Sequence, residues 1–292
     1  SLDLVAAPSG FDALAALPLT GFFHLKLAAF MSGADVTQLF RSDVSDPRAR
    51  GYAARRRELL EQVDLFIVPC PTFAELLLEC GCDRRRIAIH PGAVVLPPLP
   101  EAPEPHRVPG LLVVQPEPPA GGLEIALAAF EIIRQTAPVQ LHVLGNPELR
   151  EKLSPWLAST PYAQDVFLWT PEQAPEAWKK ADIAVSCPVV SPGFFFDARG
   201  EAILEASARA LPVVATLHAG AADRVADGIT GLLVPERDVA AMADAIAQLL
   251  ADESLRHEMG RAGRAKMELE FELSRAAGHL EGIFTAAIAN PQ

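Results

Sequence analysis

The chain has 292 residues, half of them hydrophobic, and its 25 Lys and Arg against 37 Asp and Glu give a formal charge of −12. That length accommodates two modest domains with sizeable cores, and the acidic balance argues against nonspecific nucleic-acid binding. Cys70, Cys80, Cys82 and Cys187 lack paired C-x-x-C spacing, so they read as reduced thiols rather than a zinc site or a disulfide framework. The seven histidines include no H-x-x-x-H pair, and no bound metal is expected. Pro18, Gly21, His24 and Lys26 interrupt the apolar-rich stretch from Phe11 to Ala34, well short of the roughly 20 apolar residues a membrane span requires. With no targeting signal in view, the expected location is cytoplasmic, at most peripheral at the inner face of the membrane.

In chain order, short apolar runs bounded by turn residues predict strands at Leu4–Ala7, Leu25–Phe30, Leu65–Pro69 and Ile87–His90. Helices fit over Phe11–Leu17, Pro47–Gln62 and Thr72–Glu79. The last begins with a capping-box pattern, Thr72 accepting from the Glu75 amide while Glu75 reaches back. The runs Arg55–Arg57 and Arg84–Arg86 read as solvated faces or loops. Six prolines then fall in PPLPEAPEPHRVPG, residues 97–110, which stiffens the chain and forbids both helix and central strand. Further strands are predicted near Leu111–Gln115, Gln140–Leu144, Val166–Trp169, Ile183–Ser186, Val213–Thr216 and Leu232–Val234, with helices between them. Such alternation implies a mainly parallel sheet covered on both faces, with ligands beyond the carboxyl ends of its strands. Two amphipathic helices, Val239–Leu250 and Glu253–Glu270, and a last one, Leu273–Ile288, complete the chain. The expected organisation is a first α/β domain over 1–96, a linker over 97–110, a second α/β domain over 111–270 and a C-terminal helix over 271–292.

The densest stretch for chemistry is DARGEAILEASARALPVVATLHAGAADRVADGITGLLVP, residues 197–235. In a helix opening at Gly200, Glu201 and Glu205 share one face, and Asp197 precedes them in the loop. Ionised carboxylates offer only acceptors and suit a ligand rich in hydroxyls. The same acids in a first helical turn also suit the helix macrodipole, with no ligand at all. Behind the helix, LPVVAT and then DGITGLLVP supply a buried strand and a Gly-bearing turn at fixed offsets.

This stretch resembles the donor-binding core of the retaining family 4 glycosyltransferases, enzymes of the GT-B fold with two Rossmann-like domains. Their pattern is an acid, seven residues, then a Glu opening E-A-x-A, matched here by Asp197 and Glu205-Ala206-Ser207-Ala208. The resemblance implies that Glu205 holds the ribose of a nucleotide-sugar donor, and that Asp197 or Glu201 holds the sugar hydroxyls. It also implies donor contacts at Gly200, at Asp223 behind Gly220, and at Thr170, where backbone grips the base. Gly121 and Gly122, opening a helix, are placed to bring amides to the diphosphate, with Arg199 in support. Hexose transfer to a glycan, lipid or small-molecule acceptor would retain configuration, the departing phosphate oxygen assisting the incoming hydroxyl, without metal or other cofactor. The last helix is implied to cross back to the first domain.

Departures from the family pattern fall where charge is expected. Pro116 and Gly121 stand at the positions of the family's diphosphate-binding Arg and Lys, and Ser32 stands at its histidine in Ser32-Gly33-Ala34-Asp35. The chain also enters the family pattern late, so its first domain is expected to be incomplete, with an apolar edge or face covered by a second copy or a partner subunit. Two functions therefore stand: a glycosyltransferase, or a catalytically silent homologue acting as a binding or scaffold subunit or as half of a split enzyme.

Overall fold

The computed structural model describes residues 2–31, 33–40, 46–99, 108–114, 122–189 and 200–289. They form two compact units, the first from described residues within 2–93 and 271–289, the second from those within 94–189 and 200–270. In the first unit, β1 (Leu4–Ala7), β2 (Lys26–Phe30), β3 (Leu65–Val68) and β4 (Ile87–Ile89) pair in sequence order, all parallel. Between them lie α1 (Gly10–Phe23), α2 (Ala34–Thr37), α3 (Pro47–Ala54), α4 (Arg56–Gln62) and α5 (Pro71–Glu79).

Three of these elements differ from the sequence expectation. Helix α1 runs through Pro18 to Phe23 rather than stopping at Leu17. The Thr20 hydroxyl donates to the Leu17 carbonyl, and the helix closes at His24 in the left-handed region, φ 54°, whose N–H donates to the Thr20 carbonyl. The single helix expected over Pro47–Gln62 is broken at Arg55, φ −96° and ψ 13°, whose guanidinium pairs with Glu58 at 2.7 Å. Helix α5 starts one residue early, with Pro71 at its first position and Cys70 as the cap. The expected capping box therefore does not form: Thr72 falls inside the first turn, and the Glu75 carboxylate meets Arg84 at 3.3 Å.

The second unit is a six-stranded parallel sheet: β5 (Gly110–Val114), β6 (Gln140–Leu144), β7 (Val166–Trp169), β8 (Ile183–Ser186), β9 (Val213–Thr216) and β10 (Gly231–Val234), in the order β7-β6-β5-β8-β9-β10. Its helices are α6 (Leu123–Arg134), α7 (Glu148–Ser159), α8 (Ala174–Lys179), α9 (Glu201–Ala208), α10 (Ala219–Arg224), α11 (Val239–Ala251) and α12 (Glu253–Glu270). Strand side chains alternate between two cores, as the two-residue period requires. Leu111, Val113 and Val214 pack with Phe130, Leu153 and Ile246 on one face, while Leu112, Val213 and Ala215 pack with Trp178, Ile203 and Ala221 on the other.

The chain then returns to the first unit as α13 (Leu273–Ala289). A sheet that grows in one direction through right-handed crossovers carries its connecting helices on one face, and α13 covers the other. Leu280, Ile283, Phe284 and Ala287 pack on Ala28, Leu65 and Ile67, and the Phe284 ring stands edge-on to Phe30 at 6.4 Å. The cover of this face is thus supplied from within the chain. No helix among the described residues is long and apolar enough to cross a membrane.

Candidate functional site

The order of the second sheet has one reversal. From β5 the chain steps outward to β6 and β7, then returns to β8 on the opposite side of β5 and continues to β9 and β10. The helices that follow β5 and β8 pack on opposite faces of the sheet, and in a doubly wound sheet such a reversal marks the usual ligand crevice beyond the carboxyl ends of the strands. Two helices, α6 and α9, begin behind those strands.

Gly122 caps α6 with φ +109°, and a Cβ on it would overlap the Cys187 carbonyl oxygen just after β8. Only glycine satisfies both the conformation and the space. The Cys187 thiol donates to the Gly122 carbonyl at 3.0 Å, so the two crevice walls are joined at this point. Burial pushes that thiol up to about 12, and the nearby Glu124 adds to the shift. The Gly122 amide donates to the Glu124 carboxylate at 3.1 Å, so a phosphate arriving here would have to displace a side chain of the same helix.

Gly200 caps α9, again in the left-handed region, φ +53°, and a Cβ there would lie 2.6 Å from Cδ of Arg224. Glu201 occupies the first turn and is exposed; Glu205 follows one turn later on the same face and is half-buried. The Glu205 carboxylate pairs with Arg209, whose guanidinium lies 4.7 Å above the Trp178 ring and also donates to the Glu205 carbonyl at 2.8 Å. Part of the acceptor capacity of Glu205 is thus already engaged.

Beyond β9, the Thr216 hydroxyl donates to the Pro188 carbonyl at 2.7 Å. His218 caps α10, and the buried Gly220 lies in the first turn, its carbonyl accepting from Arg224 at 3.0 Å. Asp223, expected in a loop, sits instead in α10 and is exposed, because the chain after β9 coils into a helix at once. Thr170 comes directly after β7, where its amide donates to the Gln173 side chain at 3.1 Å. It shares the carboxyl edge with the other residues but lies two strands from β5, about 10 Å away.

Glu201, Glu205, Gly200, Gly220, Asp223 and Gly122 thus lie on adjoining connections at one edge of one sheet, while Asp197, Arg199, Gly121, Ser32 and Pro116 are outside the described residues. Sequence reasoning missed two residues. Arg224 is completely buried beneath Gly200, and His218, the cap of α10, is buried as well. The i, i+4 spacing from Gly220 to Arg224 was the one available signal, and it does not distinguish a buried arginine from a solvated one. Among the described residues, no three His, Cys, Asp or Glu side chains form a group that could hold a metal ion.

Comparison with known proteins bears on the family and the fold. The family described as "Glycosyl transferases group 1" matches residues 103–266. The GDP-mannose-dependent alpha-(1-6)-phosphatidylinositol monomannoside mannosyltransferase of Mycolicibacterium smegmatis is 32% identical over 151 residues, covering 50% of this chain and 40% of that protein. The D-inositol 3-phosphate glycosyltransferase of Kribbella flavida is 41% identical over 85 residues, 29% of this chain and 19% of its own. The chain therefore matches less than half the length of either relative. Among solved structures, the sucrose-phosphate synthase of Thermosynechococcus elongatus has a TM-score of 0.82 at 22% identity, covering 98% of this chain and 74% of that one. HepE of Anabaena, solved with UDP and glucose, has a TM-score of 0.79 at 14% identity, covering 97% and 77%. These likenesses show the GT-B fold. With a family match across more than half of its residues, the chain belongs to the group 1 glycosyl transferases.

Proposed function

We propose that this chain binds a nucleotide diphosphate sugar at the β5–β8 crevice and transfers the hexose to an acceptor hydroxyl with retention of configuration. The observation that carries the reading is the meeting of two glycine-capped helix entries, Gly122 of α6 and Gly200 of α9, on either side of one topological reversal. Helix entries present backbone amides and a positive dipole end to an anion, so the diphosphate is assigned to Gly121 and Gly122, with Arg199 supporting it. Glu205 accepts from the ribose hydroxyls, Asp197 and Glu201 from the sugar, and the backbone at Thr170 holds the base. Gly220 and Asp223 complete the donor wall. Negative charge developing on the leaving diphosphate is met by the amides of α6, and the departing phosphate oxygen takes the acceptor proton, so no side-chain nucleophile and no metal is assigned. The acceptor is a glycan, lipid or small-molecule hydroxyl.

A second reading, donor binding without transfer by a scaffold subunit, is favoured by one contact: Glu124 holds the Gly122 amide, and the sequence places no Arg or Lys at residues 116 and 121. Removing one preorganised donor from such a site costs about 10²–10³ in rate, so the two readings separate by activity. Thermal shift with UDP, GDP and ADP tests binding first. A ligand at 100 times its Kd stabilises the folded state by about 2.7 kcal/mol, a rise of several degrees. No shift with any nucleotide would refute both readings. A shift without sugar release from UDP-glucose or GDP-mannose selects the scaffold.

A further inference from the structure

Arg224, at the last position of α10, is by residue volume the largest fully buried side chain among the described residues, with none of its surface exposed. A guanidinium stays ionised in proteins, and a buried charge is often no more stabilising than an apolar side chain of similar volume in the same space. The surroundings would suit such a side chain: Ala221 and Val225 beside it and Ile203 of α9 all belong to the apolar core on this face of the sheet. The best-attested use of a charge kept in such a place is to fix one particular arrangement.

Here that arrangement is the entry of α9. Arg224 Nη1 donates to the Gly220 carbonyl at 3.0 Å, one turn earlier on α10. The Arg224 stem and that carbonyl together form a seat for Gly200: a Cβ there would lie 2.6 Å from Cδ of Arg224, 3.1 Å from its Nε and 3.4 Å from the Gly220 oxygen. Gly200 in turn sets the first turn of α9, because its carbonyl accepts from the amides of Ile203 and Leu204, both at 3.0 Å. Glu201 is the first residue of that turn, and Glu205 follows one turn later. A glycine cap has no side chain with which to anchor itself, so its place depends on what packs beneath it.

We infer that Arg224 is a positioning residue of the donor site: acting through Gly200 rather than on the ligand, it fixes the entry of α9 and thereby the place of Glu201 against the sugar. This rests on the proposed nucleotide-sugar reading. The diphosphate is assigned to the entry of α6, which Arg224 does not support, so the sugar and the diphosphate should respond differently to its loss. The test is calorimetric titration of the full chain with UDP, UDP-glucose, GDP and GDP-mannose. Arg224→Met keeps a long apolar stem without the charged fork, and Arg224→Lys keeps a charge and a donor for the Gly220 carbonyl. A ligand-free melt of each variant records the structural cost separately.

The expected result in Arg224→Met is a loss of about tenfold in affinity for the bound nucleotide sugar, the worth of one hydrogen bond to a charged group. Affinity for the matching nucleoside diphosphate should stay within about twofold, and Arg224→Lys should recover part of the loss, to about threefold below wild type. If Arg224→Met does not fold, Arg224→Lys carries the same comparison. An unchanged ratio of nucleotide-sugar to diphosphate affinity in the folded variants overturns the inference, however far the melting temperature falls. An equal loss for both ligands also overturns it, since that is a general loosening of the second unit. A wild-type chain that binds none of the four probes refutes the nucleotide-sugar reading itself, and this inference with it.

Discussion

The two sheets are built from the same kind of strand and differ in the order in which the chain lays them down. The first adds β1 to β4 in one direction, so it has no reversal and one of its faces is covered by α13. The second reverses beside β5, covers both faces with its own helices and brings two helix entries to one edge. Strand composition alone does not create a binding crevice; a change of direction in the winding does. The residues with chemistry to offer gather in the second unit for that reason.

The largest expected effect breaks the reversal itself. Gly122→Val forces a β-branched residue into φ +109° and onto the Cys187 backbone, and should destabilise the second unit by roughly 3–5 kcal/mol. Urea unfolding followed by Trp fluorescence reports on this unit, because Trp156, Trp169 and Trp178 all lie in it. A change below about 1 kcal/mol would mean that the crevice wall yields easily.

The counterpart in the first unit is Phe284→Ala on α13. It removes a half-buried ring that covers β2 and β3 and should cost about 2–3 kcal/mol, less than a fully buried Phe. The loss should appear in hydrogen exchange of β1 to β4 and leave β5 to β10 protected. Equal loss of protection in both sheets would show that the units unfold together.

Glu205→Gln probes the crevice alone. It should leave the fold intact and weaken nucleotide binding by about 1.5 kcal/mol, the low end for a charged hydrogen bond because Arg209 already uses part of the carboxylate. Unchanged affinity in calorimetry removes Glu205 from the ribose.

The smallest effect separates the units by pH. The Cys187 thiol is raised to about 12, and Cys80 and Cys82 in the first unit are raised to about 11, each chiefly by burial. A folded value above the unfolded one favours the protonated, folded form. The contribution is therefore complete below about pH 9 and is lost as pH rises toward 12. At pH 10 the second unit should have lost about 1.4 kcal/mol through Cys187. Cys187→Ala should flatten that fall, and an unaltered slope in urea midpoints between pH 8 and 10.5 would contradict it.

The strands were the most legible part of the chain. Runs such as VVAT at β9 and LFIV at β3 are short, apolar and bounded by Pro, Asp or Gly, and burial on both sides of a parallel sheet demands that composition. Helix limits were less legible where local signals compete. Thr72 and Glu75 have capping-box spacing, but Pro71 fits the first helical position better and moves the cap to Cys70. Pro18 reads as a stop, yet α1 continues past it to Thr20, which is buried and donates its hydroxyl back to the Leu17 carbonyl. In the site, spacing alone gave a helix opening at Gly200 with Glu201 and Glu205 on one face, while their donor role came from the resemblance. Arg224 and His218 could not be found, because their burial depends on α10 lying against the entry of α9, a tertiary fact that no spacing encodes.

The distant origin of α13 has a consequence during synthesis. The strands it covers are complete once Ile89 has been made, but α13 begins at Leu273, after the whole second sheet has been translated. At about 5–20 residues per second, the apolar face bearing Ala28, Leu65 and Ile67 waits on the order of ten to forty seconds for its cover. On the ribosome the nascent first sheet is thus a natural client for a chaperone, and the second unit has time to fold before the first can be sealed.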